Sequence, residues 1–102
     1  MIRHIVLLRF RPEIAAAERA AIYTELASLR EVVPGFLAMS AGANVSPEGK
    51  DQGFSEAFIM DFADAAARDA YLVHPDHQAA GARLVAALEG GRDGLIVFDI
   101  AV

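Results

Sequence analysis

The sequence predicts an α+β domain: one antiparallel sheet with its helices packed on a single face. Three observations carry that reading. Segments near residues 2–10, 36–44, 54–62 and 94–102 place apolar side chains at strand period. Helical tracts lie between the first and second of these segments and between the third and fourth. At 102 residues with no cysteine, the chain fits one core, residues 1–102, and has no disulfide to reinforce it.

In the first strand, Ile2, His4, Val6, Leu8 and Phe10 share one face, and Arg3, Ile5, Leu7 and Arg9 share the other. Both faces are apolar in the middle, so both need cover. Pro12 suits a first helical position, where a missing N–H costs nothing. Ile14, Ile22, Leu26, Leu29 and Val33 then follow helical spacing, which predicts a helix over 13–31 stopped by Pro34-Gly35. Residues 36–44 read as a second strand, and 45–53 as a polar loop with Pro47, Gly49 and Gly53.

The third strand, 54–62, sets Phe54, Glu56, Phe58, Met60 and Phe62 on one face, leaving Glu56 a lone carboxylate among aromatics. Asp64 is a good N-cap for a helix over 65–73. His74 precedes Pro75 and is pushed out of helical geometry, so a second helix begins at 75 and runs to about 88 with Leu84, Val85 and Leu88 inward. Gly90-Gly91 stops it before the last strand. The order βαββαβ is the ferredoxin-like pattern. Its uncovered sheet face calls for a symmetric dimer, sheet against sheet, closing an α/β barrel.

Composition narrows the function classes. A net charge of −5 argues against nucleic acid, whose phosphates demand lysine and arginine. No apolar run reaches membrane-spanning length, and the short run Ile5 to Leu8 is too small for a signal-peptide core, so a cytoplasmic protein with no membrane partner is expected. An apolar share of 55% is high for so short a chain and again points to a subunit interface.

Chemistry concentrates in Tyr71-Leu72-Val73-His74-Pro75-Asp76-His77, which holds two of the three histidines. Imidazole titrates near neutrality, and a phenol can hold a carbonyl oxygen. His77, third in its helix, reads as a general base kept neutral by the helix N-terminus, or as a packing residue at a helix start. Tyr71 reads as a carbonyl anchor or as core packing. His4 is a pocket residue or a satisfied core histidine. His74 reads as a cap. Glu56 either orients His4 or His77, or escapes to solvent at a strand end. The spacing His74-x-x-His77 across a proline lacks the one-face geometry of a helical metal pair, so no metal is expected. No cofactor is expected either, since Gly90-Gly91 has no phosphate-loop context.

Taken in order, the run Ile2 to Arg11, Val33-Pro34-Gly35-Phe36, Gly42-Ala43-Asn44-Val45-Ser46, Tyr71 to His77 and the closing Asp99 make the chain resemble the stress-responsive dimeric α/β-barrel (Dabb) family over nearly its whole length. The resemblance implies homodimers. It also implies that plant members similar to polyketide cyclases close a poly-β-ketone by intramolecular aldol condensation without a metal. The pocket positions of that group fall on His4, Glu56, Tyr71 and His77, and Glu56 stands where those members have histidine. Two functions follow as expectations. One is a cofactor-free cyclase, lyase or isomerase acting on a small apolar carbonyl or phenolic compound. The other is a non-catalytic homodimeric small-molecule-binding or stress-associated protein.

Overall fold

The computed structural model describes residues 1–102. Strands β1 (Ile2–Leu8), β2 (Phe36–Ala43), β3 (Glu56–Phe62) and β4 (Leu95–Ala101) form one sheet in the order β2-β3-β1-β4. Every neighbouring pair is antiparallel. Helices α1 (Ala16–Ser28), α2 (Ala65–Val73) and α3 (Pro75–Ala86) cover one face. The expected ferredoxin-like topology is present. No helix is long and apolar enough to cross a membrane.

Register decides which residues meet. His4 lies opposite Met60 on one side and Asp99 on the other, and Val6 opposite Phe58 and Val97. Directly opposed residues point to the same face, so these side chains turn together toward the helices. Val6, Leu8, Phe58, Met60 and Phe62 are buried there against Ile22, Leu26, Leu84 and Tyr71. On the reverse face, Ile5 pairs with Ile59 and Phe98, and Leu7 with Ile96. Ile59, Ile96, Phe98 and Ile100 are exposed, Phe98 at 60%. The second apolar face predicted from β1 therefore exists and lies open.

Several ends differ from expectation, each for a local reason. Helix α1 starts at Ala16, because Pro12 sits inside a turn closed by the Ile14 amide on the Arg11 carbonyl at 3.0 Å. Proline's fixed φ suits that second turn position as well as it suits a helix start. The helix tightens into a 3-10 turn over Leu29–Glu31 rather than running on to 31. Strand β1 stops at Leu8, where the backbone leaves β3: Arg9 bonds Gly94 and Glu89, and Arg11 bonds Ala87. Strand β3 begins at Glu56, the residue at which both of its neighbours, β1 and β2, run out of pairs.

Candidate functional site

Strand β1 and helices α2 and α3 bring His4, Tyr71 and His77 to one cavity of about 720 Å³ between the sheet and the helices. The rest of the wall is mostly apolar, including Val6, Phe58, Leu84 and Val97. A volume of this size holds a small organic molecule.

The break between α2 and α3 builds the most reactive part. Pro75 has no amide to give, and His74 turns extended (ψ 134°) as the N-cap of α3. Its Nδ1 accepts the Asp76 amide at 3.0 Å. That contact uses the amide that would have served the Leu72 carbonyl, one of the orphan carbonyls at the end of α2. His77 takes it instead, with Nδ1 at 3.0 Å from the Leu72 oxygen. A carbonyl oxygen only accepts, so His77 Nδ1 carries the proton and the neutral ring keeps its lone pair on Nε2. Nε2 faces Gly81, where an added Cβ would lie 3.9 Å away. His74, expected as a cap, acts as one.

The His77 pKa is lowered from its ordinary value. Burial is the largest cause; the Leu72 hydrogen bond works in the opposite direction, and His4 lowers it further. The neutral imidazole expected from the sequence is thus favoured, though by desolvation first rather than by a helix N-terminus.

Tyr71 projects from the last turn of α2 and is 1% exposed. Its ring packs 4.2 Å from that of His77, centre to centre, 5.2 Å from Phe62 and 6.0 Å from His4. Burial pushes its phenol pKa up, so at neutral pH it is an O–H donor. The hydroxyl is not stranded in the core, since Arg9 Nε is the one side-chain nitrogen or oxygen both fully buried and unpaired. It remains free to donate into the cavity.

His4 is 4% exposed and is held from behind. Its Nδ1 donates to Asp99 Oδ1 at 2.7 Å, and Asp99 Oδ2 accepts from Arg68 Nη1 at 2.8 Å. Burial works against ionisation of Asp99, but Arg68 and His4 outweigh it and leave its pKa lowered. The chain Arg68–Asp99–His4 therefore orients the ring and leaves Nε2 toward the site.

Glu56 is elsewhere. It opposes Leu8, whereas His4 opposes Met60, four strand residues on. At strand rise that is about 13 Å. Its carboxylate instead accepts from Arg19 Nη1 and from the Tyr23 hydroxyl, the latter at 2.8 Å. The expectation that Glu56 orients His4 or His77 is overturned. So is its escape to solvent, since its side chain is only 14% exposed. No three His, Asp or Glu side chains converge in a ligating cluster.

The sequence profile of the Stress responsive A/B Barrel Domain (Dabb) matches residues 2–102. This chain belongs to the Dabb family. The match takes in every element of the fold and all the cavity-lining positions of this Dabb domain. Olivetolic acid cyclase of Cannabis sativa is 22% identical over 76 residues, covering 74% of this chain and 75% of that protein. A dimeric ferredoxin-like protein of unknown function from a Jannaschia species has 37% identity and a TM-score of 0.90, covering 99% of this chain and 98% of that one. Hydroxynitrile lyase from Passiflora edulis shares the fold at 19% identity, with a TM-score of 0.82 over 99% of this chain and 92% of its own.

Sequence reasoning missed Arg68, and it saw Asp99 only as a mark of resemblance. One signal was present. With Leu95 and Val97 facing the helices, Asp99 is the single acid on that face of β4. Nothing in the sequence links Arg68 to it, because the two meet only through packing of α2 on the sheet edge.

Proposed function

We propose that this Dabb protein is a homodimeric, cofactor-free enzyme that moves a proton on a small, largely apolar carbonyl or phenolic compound, as a cyclase, lyase or isomerase does. The observation that carries the reading is the His77 Nε2 lone pair, fixed by the Leu72 carbonyl beside an unengaged Tyr71 hydroxyl at an apolar cavity. In the proposed step, Nε2 takes a proton from the carbon next to a carbonyl. Tyr71 donates its O–H to the carbonyl oxygen as charge gathers there. The enolate then attacks a second carbonyl of the same molecule, or expels a leaving group from the adjacent carbon. His77 returns the proton to the product. His4, oriented by Asp99 and Arg68, supports the ring pair and bounds the pocket. Glu56 takes no part in this reading and braces β3 against α1.

Support for an enzyme comes from the named relatives, a cyclase and a lyase, and support for a dimer from the open apolar sheet face and the dimeric Jannaschia protein. The test needs no known substrate. Wild type and His77→Ala are incubated with aryl alkyl ketones in D2O, and deuterium entry at the α-carbon is followed by NMR. Wild type should exchange a ketone that it binds, and the variant should be slower by at least about 100-fold, the size of a lost general base. Ketones that bind wild type without exchange would leave a non-catalytic binding protein as the better reading, and exchange that survives the substitution would take the role of base away from His77.

A further inference from the structure

The cavity has a charge pattern that the proton-transfer reading does not use. The chain carries 14 acidic residues against nine lysines and arginines, yet no aspartate or glutamate lines this cavity. One full cation does: Arg92. It sits in the 3-10 turn Gly91–Gly94, set up by Gly90 and Gly91 at φ 74° and 62°, a region of backbone space that glycine tolerates and other residues resist. Most arginines of this protein are committed: Arg3 to Asp61, Arg11 to Glu13, Arg19 to Glu56, Arg68 to Asp99 and Arg83 to Glu18. The Arg92 guanidinium has no hydrogen bond or ion pair, although Glu89 and Asp93 are close in sequence.

We infer that the ligand of this cavity is an amphipathic oxyanion: an apolar or aromatic body in the pocket and one carboxylate or phosphate at its solvent end, paired with Arg92. In an acidic protein an anion is repelled from most of the surface, so a cavity free of acids with one uncommitted arginine at its exposed end selects for it. The planar guanidinium fork matches either oxyanion through two parallel N–H···O contacts. Apolar walls give the body its affinity, and Arg92 sets which end stays outside, so that the far end meets Tyr71 and His77. This inference rests on the cavity being the ligand site.

The test is calorimetric binding of 4-phenylbutanoate, 4-phenylbutyl phosphate and the neutral 4-phenylbutanol to the full chain at low and high salt. Wild type should bind at least one anion about 10-fold tighter than the alcohol at low salt, and the preference should shrink as salt screens the exposed pair. Arg92→Gln should erase the preference and Arg92→Glu should reverse it, with alcohol affinity unchanged. Which anion gains most identifies the head group. Equal binding of acid and alcohol by wild type, or a preference that survives Arg92→Glu, overturns the inference. Val97→Trp, which fills the cavity from the edge strand, separates the two claims. If all three compounds bind alike and all are lost in Val97→Trp, the cavity stands as the ligand site and the role of Arg92 falls. If none binds wild type, both fall.

Discussion

His77 owes its state to two neighbours that have nothing to do with its own chemistry. His74 removes the Asp76 amide from the Leu72 carbonyl, and that carbonyl then fixes the His77 tautomer. His74→Ala should therefore leave the Asp76 amide without its cap partner and loosen the first turn of α3, which carries His77. The expected readout is a drop in activity with a stability loss of about 1 kcal/mol, the worth of an N-cap. The pH dependence has a definite sign. The native His77 pKa is lowered, so the unfolded chain binds the proton more readily. Its contribution to stability is complete above the ordinary histidine value of about 6.5 and is lost as pH falls from there through the native pKa. Urea titrations at pH 7 and pH 5 should show wild type losing more stability than His77→Gln. Asp99 behaves alike one range lower: its lowered pKa gives stability that is present above the ordinary aspartate range and lost as pH falls through the native value.

Among the elements, the joint between β3 and α1 is an electrostatic brace. Glu56 opens β3, and Arg19 and Tyr23 from α1 close on it. Arg19 also donates to the Ile14 carbonyl at 2.8 Å, so the same guanidinium holds the turn that precedes its helix. Glu56→Ala leaves Arg19 half-buried without its partner, and a destabilisation of about 3 kcal/mol by urea melting is expected. Gly35 marks another tight joint. It sits at φ 88°, and a Cβ there would lie 2.6 Å from the Cβ of Ala67 in α2. Gly35→Ala should cost about 2–4 kcal/mol, since left-handed backbone strain and overpacking add. That site lets α2 lie close enough to the sheet for Tyr71 to reach His4.

On the scale of the whole molecule, the two faces of the sheet have separate duties. The helix-covered face holds the core and the cavity. The reverse face presents Ile59, Ile96, Phe98 and Ile100 to solvent, next to the half-buried Ile5 and Leu7. A contiguous apolar surface of that kind marks an interface. In the proposed homodimer, Phe98→Glu, at the most exposed of these positions, should shift the protein from dimer to monomer in sedimentation equilibrium, because it sets a charge opposite Ile5 at the middle of the patch. A variant that stays dimeric would mean the copies meet elsewhere.

The chain order of elements, the break at His74-Pro75, the capping role of His74 and the two apolar faces of β1 were all legible in the sequence. Each depends on interactions between near neighbours: proline's missing amide, a short polar side chain at a helix start, the period of apolar residues. Element ends were less legible. Pro12 serves a turn as readily as a helix start, and β3 begins only where its partner strands permit. The site divides the same way. Tyr71 and His77 stand close in the chain and could be seen together. That His4 joins them, that Arg68 and Asp99 hold it, and that Glu56 belongs to Arg19 and Tyr23 follow from strand register and helix packing. Pairing β1 with β3 brings residues 48 to 60 positions apart into contact, and a shift of one residue would turn every one of them to the other face. The sequence by itself determined which groups were available for chemistry; only the tertiary structure decided which of them meet, because the contacts that join them are made between strands and helices far apart in the chain.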